Sequence, residues 1–343
     1  MLAKVDPPTI STPEDAAEAV GLIYVSPDAP GVSRRRAGNG FIYIGPDRER
    51  ITDPEVLRRI RALAVPPAWK DVWICVEPDG HIQAIGHDDN GRRQYRYHDR
   101  FREMREGAKF DHILAFAAGL PALRARVSAD MRAAGLGRDK VLATVVRLLD
   151  TTLIRVGNTA YARENGSYGL TTLRNRHVQV EGGDLKFRFK GKSGKIWRLG
   201  LHDRRVARII KACQELPGQH LFQYLDDEGE RQTITSHDIN AYLKRASGRD
   251  ITAKDFRTWA GTVLAAAALA EGEADAKKQL GVALGRVAAR LGNTQAICRK
   301  CYVHPEIITA YLDGDLRLGA GTDSEAQEAA VLNFLRRRLK SAA

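Results

Sequence analysis

Apolar and polar positions change rhythm part-way along the chain. Over roughly the first 90 residues the apolar runs are short, β-branched and aromatic: Leu22-Ile23-Tyr24-Val25, Gly40-Phe41-Ile42-Tyr43-Ile44 and Val72-Trp73-Ile74-Cys75-Val76. Pro-Asp, Gly-Pro-Asp and Pro-Asp-Gly separate them, which predicts strands joined by tight turns. One short basic helix is expected over 54–63, stopped by Val65-Pro66-Pro67. Beyond Gly91 apolar residues recur three and four apart, as at Val141, Val145, Leu148 and Leu149. That spacing predicts helices over 100–118, 140–154, 203–215, 236–246, 254–270, 274–291 and 324–340. The expected organisation is α+β, with a β-rich domain over 1–90 and a larger, mainly helical domain over 91–343.

A β island interrupts the helices. Strands are expected over 177–181, 185–189 and 195–199, joined by Gly182-Gly183-Asp184 and by Gly191-Lys192-Ser193-Gly194. In the second strand Leu185, Phe187 and Phe189 share one face, while Lys186, Arg188 and Lys190 share the other. Between Leu185 and Arg198 stand six cations and no acid, so one face packs and the other suits a phosphate backbone.

Charge extends this picture to the whole chain. Fifty-four Lys and Arg against 42 Asp and Glu give a formal charge of +12, which favours a polyanionic partner, nucleic acid being the commonest. The longest clean apolar stretch, 263–270, is far short of the roughly 20 residues that cross a bilayer. Met1 to Pro8 lack the apolar core of a secretory signal, so a cytoplasmic protein is expected. Four scattered cysteines exclude a disulfide scaffold, and Cys298 and Cys301, alone in CxxC spacing, lack the second pair of a structural zinc site. Oxidation of that pair is expected to block Tyr302 beside it.

No nucleotide-binding loop is present. A Walker A motif would place glycine where Lys186 stands, and neither paired metal-binding histidines nor a Gly-x-Ser-x-Gly elbow occurs. Chemistry must therefore come from side chains alone. Cations around a tyrosine suit one reaction well, the exchange of a DNA phosphodiester for a protein one. A tyrosine hydroxyl titrates near pH 10, so the reactive form costs about 4 kcal/mol at neutrality. Fixed guanidinium groups offset that cost and the charge on the attacked phosphate, at roughly 3 kcal/mol per donor. A lysine can protonate the departing 5′ oxygen.

The required residues occur in a family's order. Leu153-Ile154-Arg155-Val156-Gly157-Asn158 and Tyr168-Gly169-Leu170-Thr171-Thr172-Leu173-Arg174-Asn175-Arg176-His177-Val178 resemble the first-arginine region of type IB DNA topoisomerases. Phe189-Lys190-Gly191-Lys192 resembles their hairpin lysine, and Lys254-Asp255-Phe256-Arg257-Thr258-Trp259 their second-arginine box. The run from Leu291 to Tyr302 resembles their nucleophile segment. Pro66-Pro67-Ala68-Trp69-Lys70-Asp71-Val72-Trp73-Ile74, Gly80-His81-Ile82-Gln83-Ala84 and Gln94-Tyr95-Arg96-Tyr97-His98 resemble the small bacterial and poxvirus branch. The likeness runs from about Gly21 to Tyr311.

That resemblance implies a two-lobed, C-shaped clamp on double-stranded DNA, working as a monomer at the bacterial nucleoid without ATP, nucleotide cofactor or metal. It implies Tyr302 as nucleophile, Arg155 and Arg257 as phosphate clamps, Lys192 as proton donor and Lys254 as its assistant. Asn293 departs from the pattern: poxvirus and nuclear members usually carry histidine nine positions before the tyrosine. Asparagine can donate a hydrogen bond to phosphate but cannot titrate near neutrality. Candidate DNA contacts are Arg34, Arg35, Arg36, Arg92, Arg93, Tyr95, Arg96, Tyr97, Lys186, Arg188 and Lys190, with 336–338 as a further cluster. Two alternatives stay open, a tyrosine recombinase or a DNA-binding clamp without chemistry. Recombinases usually carry histidine where Lys254 stands.

Overall fold

The computed structural model describes residues 12–271, 275–319 and 323–342; Met1 to Pro8 and the expected helix start at Ala274 lie outside them. The chain divides into two compact units, Met1–Asp111 and His112–Ala343.

The first unit holds α1 (Pro13–Glu18), β1 (Val32–Ala37), β2 (Gly40–Ile44), α2 (Pro54–Ala62), β3 (Lys70–Ile74), β4 (Ile82–His87), β5 (Arg93–Tyr97) and the start of α3 (Asp99–Asp130). Its strands form one antiparallel sheet in the order β2-β1-β3-β4-β5. Val32, Val72, Ile74 and Ala84 of the sheet pack with Ile60 of α2. A second cluster joins Ala16, Ala17, Leu22 and Phe101. Arg59 ties α2 to the sheet by donating to the Cys75 carbonyl at 2.7 Å and to Gln83 Oε1 at 3.1 Å.

The structure differs from the sequence reading at four points here. The boundary at Gly91 falls inside this unit, because Arg93–Tyr97 pairs with β4 and the contact division comes within α3. Leu22 to Val25 form no strand: Ile23 makes a single bridge to Gly80. Conversely Val32–Ala37, Val-Ser-Arg-Arg-Arg-Ala, is a strand between two partners, β2 and β3, which pairing supports despite its polar sequence. Helix α3 also passes Ala118 and continues through Pro121, where buried Leu120, Leu123 and Val127 extend its apolar stripe.

The second unit continues α3 and adds α4 (Arg138–Thr152), α5 (Thr159–Asn165), β6 (Val178–Glu181), β7 (Asp184–Lys190), β8 (Ile196–His202), α6 (Arg204–Glu215), β9 (Gln223–Leu225), β10 (Arg231–Thr233), α7 (Ser236–Ser247), α8 (Ala253–Ala270), α9 (Ala276–Leu291), α10 (Gln295–Cys301), α11 (Pro305–Leu312) and α12 (Ser324–Ala342). The small sheet β6-β7-β8 is antiparallel. Along β7, Leu185, Phe187 and Phe189 are buried while Lys186, Arg188 and Lys190 are exposed, the alternation expected from the sequence. Helices α4 and α8 form much of the core, with Val141, Val145, Leu148, Leu149, Phe256 and Trp259 all buried.

Candidate active site

Arg257 organises the site from inside α8. The helix begins at Thr252, whose backbone amide donates to Asp255 at 2.7 Å, closing a capping box. One turn on, Arg257 is only 4 % exposed. Its Nη1 donates to the Leu153 carbonyl and its Nη2 to the Leu291 carbonyl, the latter at 2.8 Å. Those carbonyls lie at the ends of α4 and α9, where no helical amide remains to satisfy them. A single guanidinium thus fixes two corners.

Each corner launches a candidate residue. Leu153 ends α4 in the left-handed conformation, φ 59°, and the chain then turns to present Arg155. Gly292 ends α9, φ 62°, and presents Asn293. Arg155 closes the pair by donating to the Gly292 carbonyl at 3.3 Å and to Asn293 Oδ1. The Asn293 amide nitrogen is buried without a protein partner, as is Arg257 Nε. Buried donors left unmet cost about 1–3 kcal/mol each, so an acceptor entering here is favoured.

Tyr302 caps α10, its amide bonded to the Cys298 carbonyl at 2.9 Å. Arg257 lies over the Tyr302 ring, Cζ to centroid 5.3 Å. Gly261, one turn beyond Arg257, admits the tyrosine backbone: a Cβ there would come within 2.5 Å of the Tyr302 carbonyl oxygen. Thr262 holds the following turn, its hydroxyl accepting from the His304 amide at 3.1 Å. Burial, then the neighbouring Arg155 charge, pushes the Arg257 guanidinium down, while Tyr302 pulls it back up. Burial also lowers Arg155. Two desolvated cations this close are relieved by an anion between them.

Lys192 begins the turn Lys192–Gly194 between β7 and β8 and is exposed. It lines, with Arg155, Asn158, Tyr161, Tyr168 and Trp197, a cavity of about 380 Å³. Lys254 is exposed on the first turn of α8. Tyr302, Arg257, Arg155 and Asn293 therefore form one cluster, Lys192 shares a cavity with Arg155, and Lys254 lies three residues before Arg257 on α8. Sequence reasoning missed Gly261, Thr262 and Trp197; a Gly-Thr pair one turn past the arginine of a buried helix was the available signal. Cys298 is fully buried and burial raises its thiol pKa, which disfavours the reactive thiolate expected there.

The catalytic core of eukaryotic DNA topoisomerase I matches residues 98–317, well over half the chain. The chain belongs to the type IB DNA topoisomerases. The N-terminal domain of bacterial DNA topoisomerase IB matches residues 40–88. DNA topoisomerase 1B of Acanthamoeba polyphaga mimivirus is 32% identical over 285 residues, covering 80% of this chain and 85% of the relative. DNA topoisomerase 1B of vaccinia virus (strain Copenhagen) is 22% identical over 233 residues, covering 67% and 72%. The enzyme is thus an isomerase acting on DNA, and no described helix is long and apolar enough to cross a membrane.

The candidate DNA contacts of this topoisomerase divide by exposure. Arg35, Arg36, Arg92, Arg93, Arg188 and Lys190 are exposed. Lys186 is exposed but paired with Glu181 at 2.8 Å. Arg34 turns inward, donating to the carbonyls of Val65, Pro66 and Trp69 at 2.7–3.1 Å. Arg96 is half-buried and donates to the Ala64 carbonyl at 2.9 Å. Tyr95 stacks on Tyr97 at 5.8 Å, and Tyr97 packs on Phe101. In the 336–338 cluster, Arg338 pairs with Asp313 at 2.9 Å and Asp315 at 2.8 Å.

Proposed function

We propose that this topoisomerase nicks one strand of duplex DNA with Tyr302, lets the cut strand rotate about the intact one, and reseals it. Attack of Tyr302 Oη on phosphorus forms a 3′-phosphotyrosyl ester and releases the 5′ oxygen. Arg155 and Arg257 hold the non-bridging oxygens, and the Asn293 amide donates a third bond to them. Lys192 protonates the 5′ oxygen as it leaves, with Lys254 assisting or touching the backbone nearby. Reversal of the same steps religates the strand. One phosphodiester replaces another throughout, so the reaction needs neither ATP nor a metal ion, and supercoils of either sign relax.

The observation that carries this reading is the convergence of Arg257, Arg155 and Asn293 at Tyr302, with buried donors unmet on Asn293 and Arg257. Such an arrangement stabilises an anion that develops beside the tyrosine. The duplex would be gripped on the exposed cations of β1, β5 and β7, and affinity would fall steeply with salt. One chain supplies every residue of the site, so we take the working unit to be a monomer acting on nucleoid DNA. A recombinase is disfavoured by Lys254 at its usual histidine position and by the bacterial topoisomerase domain at residues 40–88.

Supercoiled plasmid incubated with the protein in EDTA and without ATP tests the reading. The expected product is a ladder of relaxed topoisomers, absent with Tyr302→Phe. A mobility shift without relaxation would leave only a DNA-binding clamp.

A further inference from the structure

We propose that Trp197 is a positioning residue that sets Lys192 against the Arg155–Asn293 pair. The indole of Trp197, on β8, is wedged between two glycines. A Cβ on Gly191 would lie 2.7 Å from its five-membered ring, and a Cβ on Gly292 would lie 2.8 Å from Cζ2 of its six-membered ring. Those glycines immediately precede Lys192 and Asn293. On the strand alongside, Phe189 stacks parallel to the indole, with centroids 6.1 Å apart and planes within 3°. Trp197 also lines the cavity shared by Lys192 and Arg155.

The two loops need such a spacer because they are built differently. The Gly292–Asn293 corner is tied to the core through Arg155 and Arg257. The Lys192 turn is the exposed tip of a hairpin, closed by its own backbone bonds, Gly191 to Lys195 at 2.8 Å, Gly194 to Gly191 at 3.1 Å and Lys195 to Lys192 at 3.4 Å, with Tyr168 donating to the Lys190 carbonyl at its base at 2.7 Å. A rigid ring touching both loops transmits the position of one to the other. At Gly292 the conformation demands glycine in any case, φ 62°. At Gly191, φ −97°, backbone strain does not, so the closeness of the indole is the reason for a bare Cα.

The inference rests on Lys192 as proton donor, and the test separates the two. A substrate with sulfur at the 5′ bridging position releases a thiolate, whose conjugate acid titrates near 8.5, so its departure needs no donated proton. Single-turnover cleavage is measured on ordinary and sulfur-bridged duplexes with Lys192→Ala, Trp197→Ala and Trp197→Phe. Trp197→Ala is expected to cleave the ordinary substrate on the order of 100-fold more slowly, the usual cost of an ångström of misplacement. On the sulfur substrate its rate should approach wild type, with Trp197→Phe between the two on the ordinary one. Equal deficits on both substrates, or no deficit, overturn the positioning role. If Lys192→Ala itself is not rescued by sulfur, the proton-donor assignment falls, and the wedge is decided by Gly191→Ala. That change should slow cleavage in the wild-type background and add nothing in Trp197→Ala; additive losses would refute the contact.

Discussion

Arg257 and Lys192 serve the same proposed reaction from opposite structural situations. Arg257 sits within a helix, 4 % exposed, with two nitrogens bonded to the carbonyls that end α4 and α9. Lys192 stands exposed at a hairpin tip, placed by its neighbours. The difference follows from what each group is asked to do. A clamp for charge works best when fixed and desolvated, because its bonds then cost no reorganisation as the anion develops. A proton donor must reach the departing 5′ oxygen and take the proton back when the strand is resealed, which a lysine on an exposed turn can do without being tied into the core.

Arg257→Ala should break the buried end most severely. Cleavage is expected to fall about 1000-fold, the upper range for loss of one charge-stabilising donor. Thermal melting should drop as well, since two helix-end carbonyls lose their donor at about 1–3 kcal/mol each. Arg257→Lys should recover little, because one ammonium cannot span both carbonyls and the phosphate. Near-normal cleavage and melting in single-turnover and calorimetric assays would remove Arg257 from the centre of the account.

Asn293→Ala tests the unmet amide donor and should slow cleavage by about 100-fold, whereas Asn293→His should stay within a few-fold of wild type. Unequal melting temperatures would mark a folding effect, so both are compared with melting curves. Wild-type cleavage by Asn293→Ala would assign that donor no part in the reaction.

The smallest effects distinguish exposed from engaged cations. Arg188→Ala should lower the log–log salt slope of duplex binding by about 0.9, the contribution of one phosphate contact. Arg34→Ala should leave that slope unchanged and lower stability by about 1–3 kcal/mol, because three backbone carbonyls lose their donor. The reverse outcome in salt titrations would move Arg34 onto the DNA.

This contrast also marks what the sequence could express. The hairpin was legible because alternation in β7 is complete, and the long helices because their apolar stripes are continuous. Strand β1 was not, since Val32 is its one fully buried side chain and pairing on both sides carries the rest. The proposed catalytic set could be read from motif order, yet the reason it coheres could not. That Arg257 joins the ends of α4 and α9, and that Gly261 lets the tyrosine backbone approach, depends on residues far apart in the chain. Arg34 could not be told from its exposed neighbours Arg35 and Arg36 for the same reason: its carbonyl partners lie 31 to 35 residues on.

The central claim is that Tyr302 becomes covalently joined to a broken strand. Trapping the protein on a duplex whose downstream fragment, bearing the released 5′ hydroxyl, diffuses away after cleavage, followed by proteolysis and mass mapping, tests it most directly. The account predicts a nucleotide adduct on the peptide bearing Tyr302, lost in Tyr302→Phe. An adduct on another residue, or none in a protein that still relaxes plasmid, would contradict it.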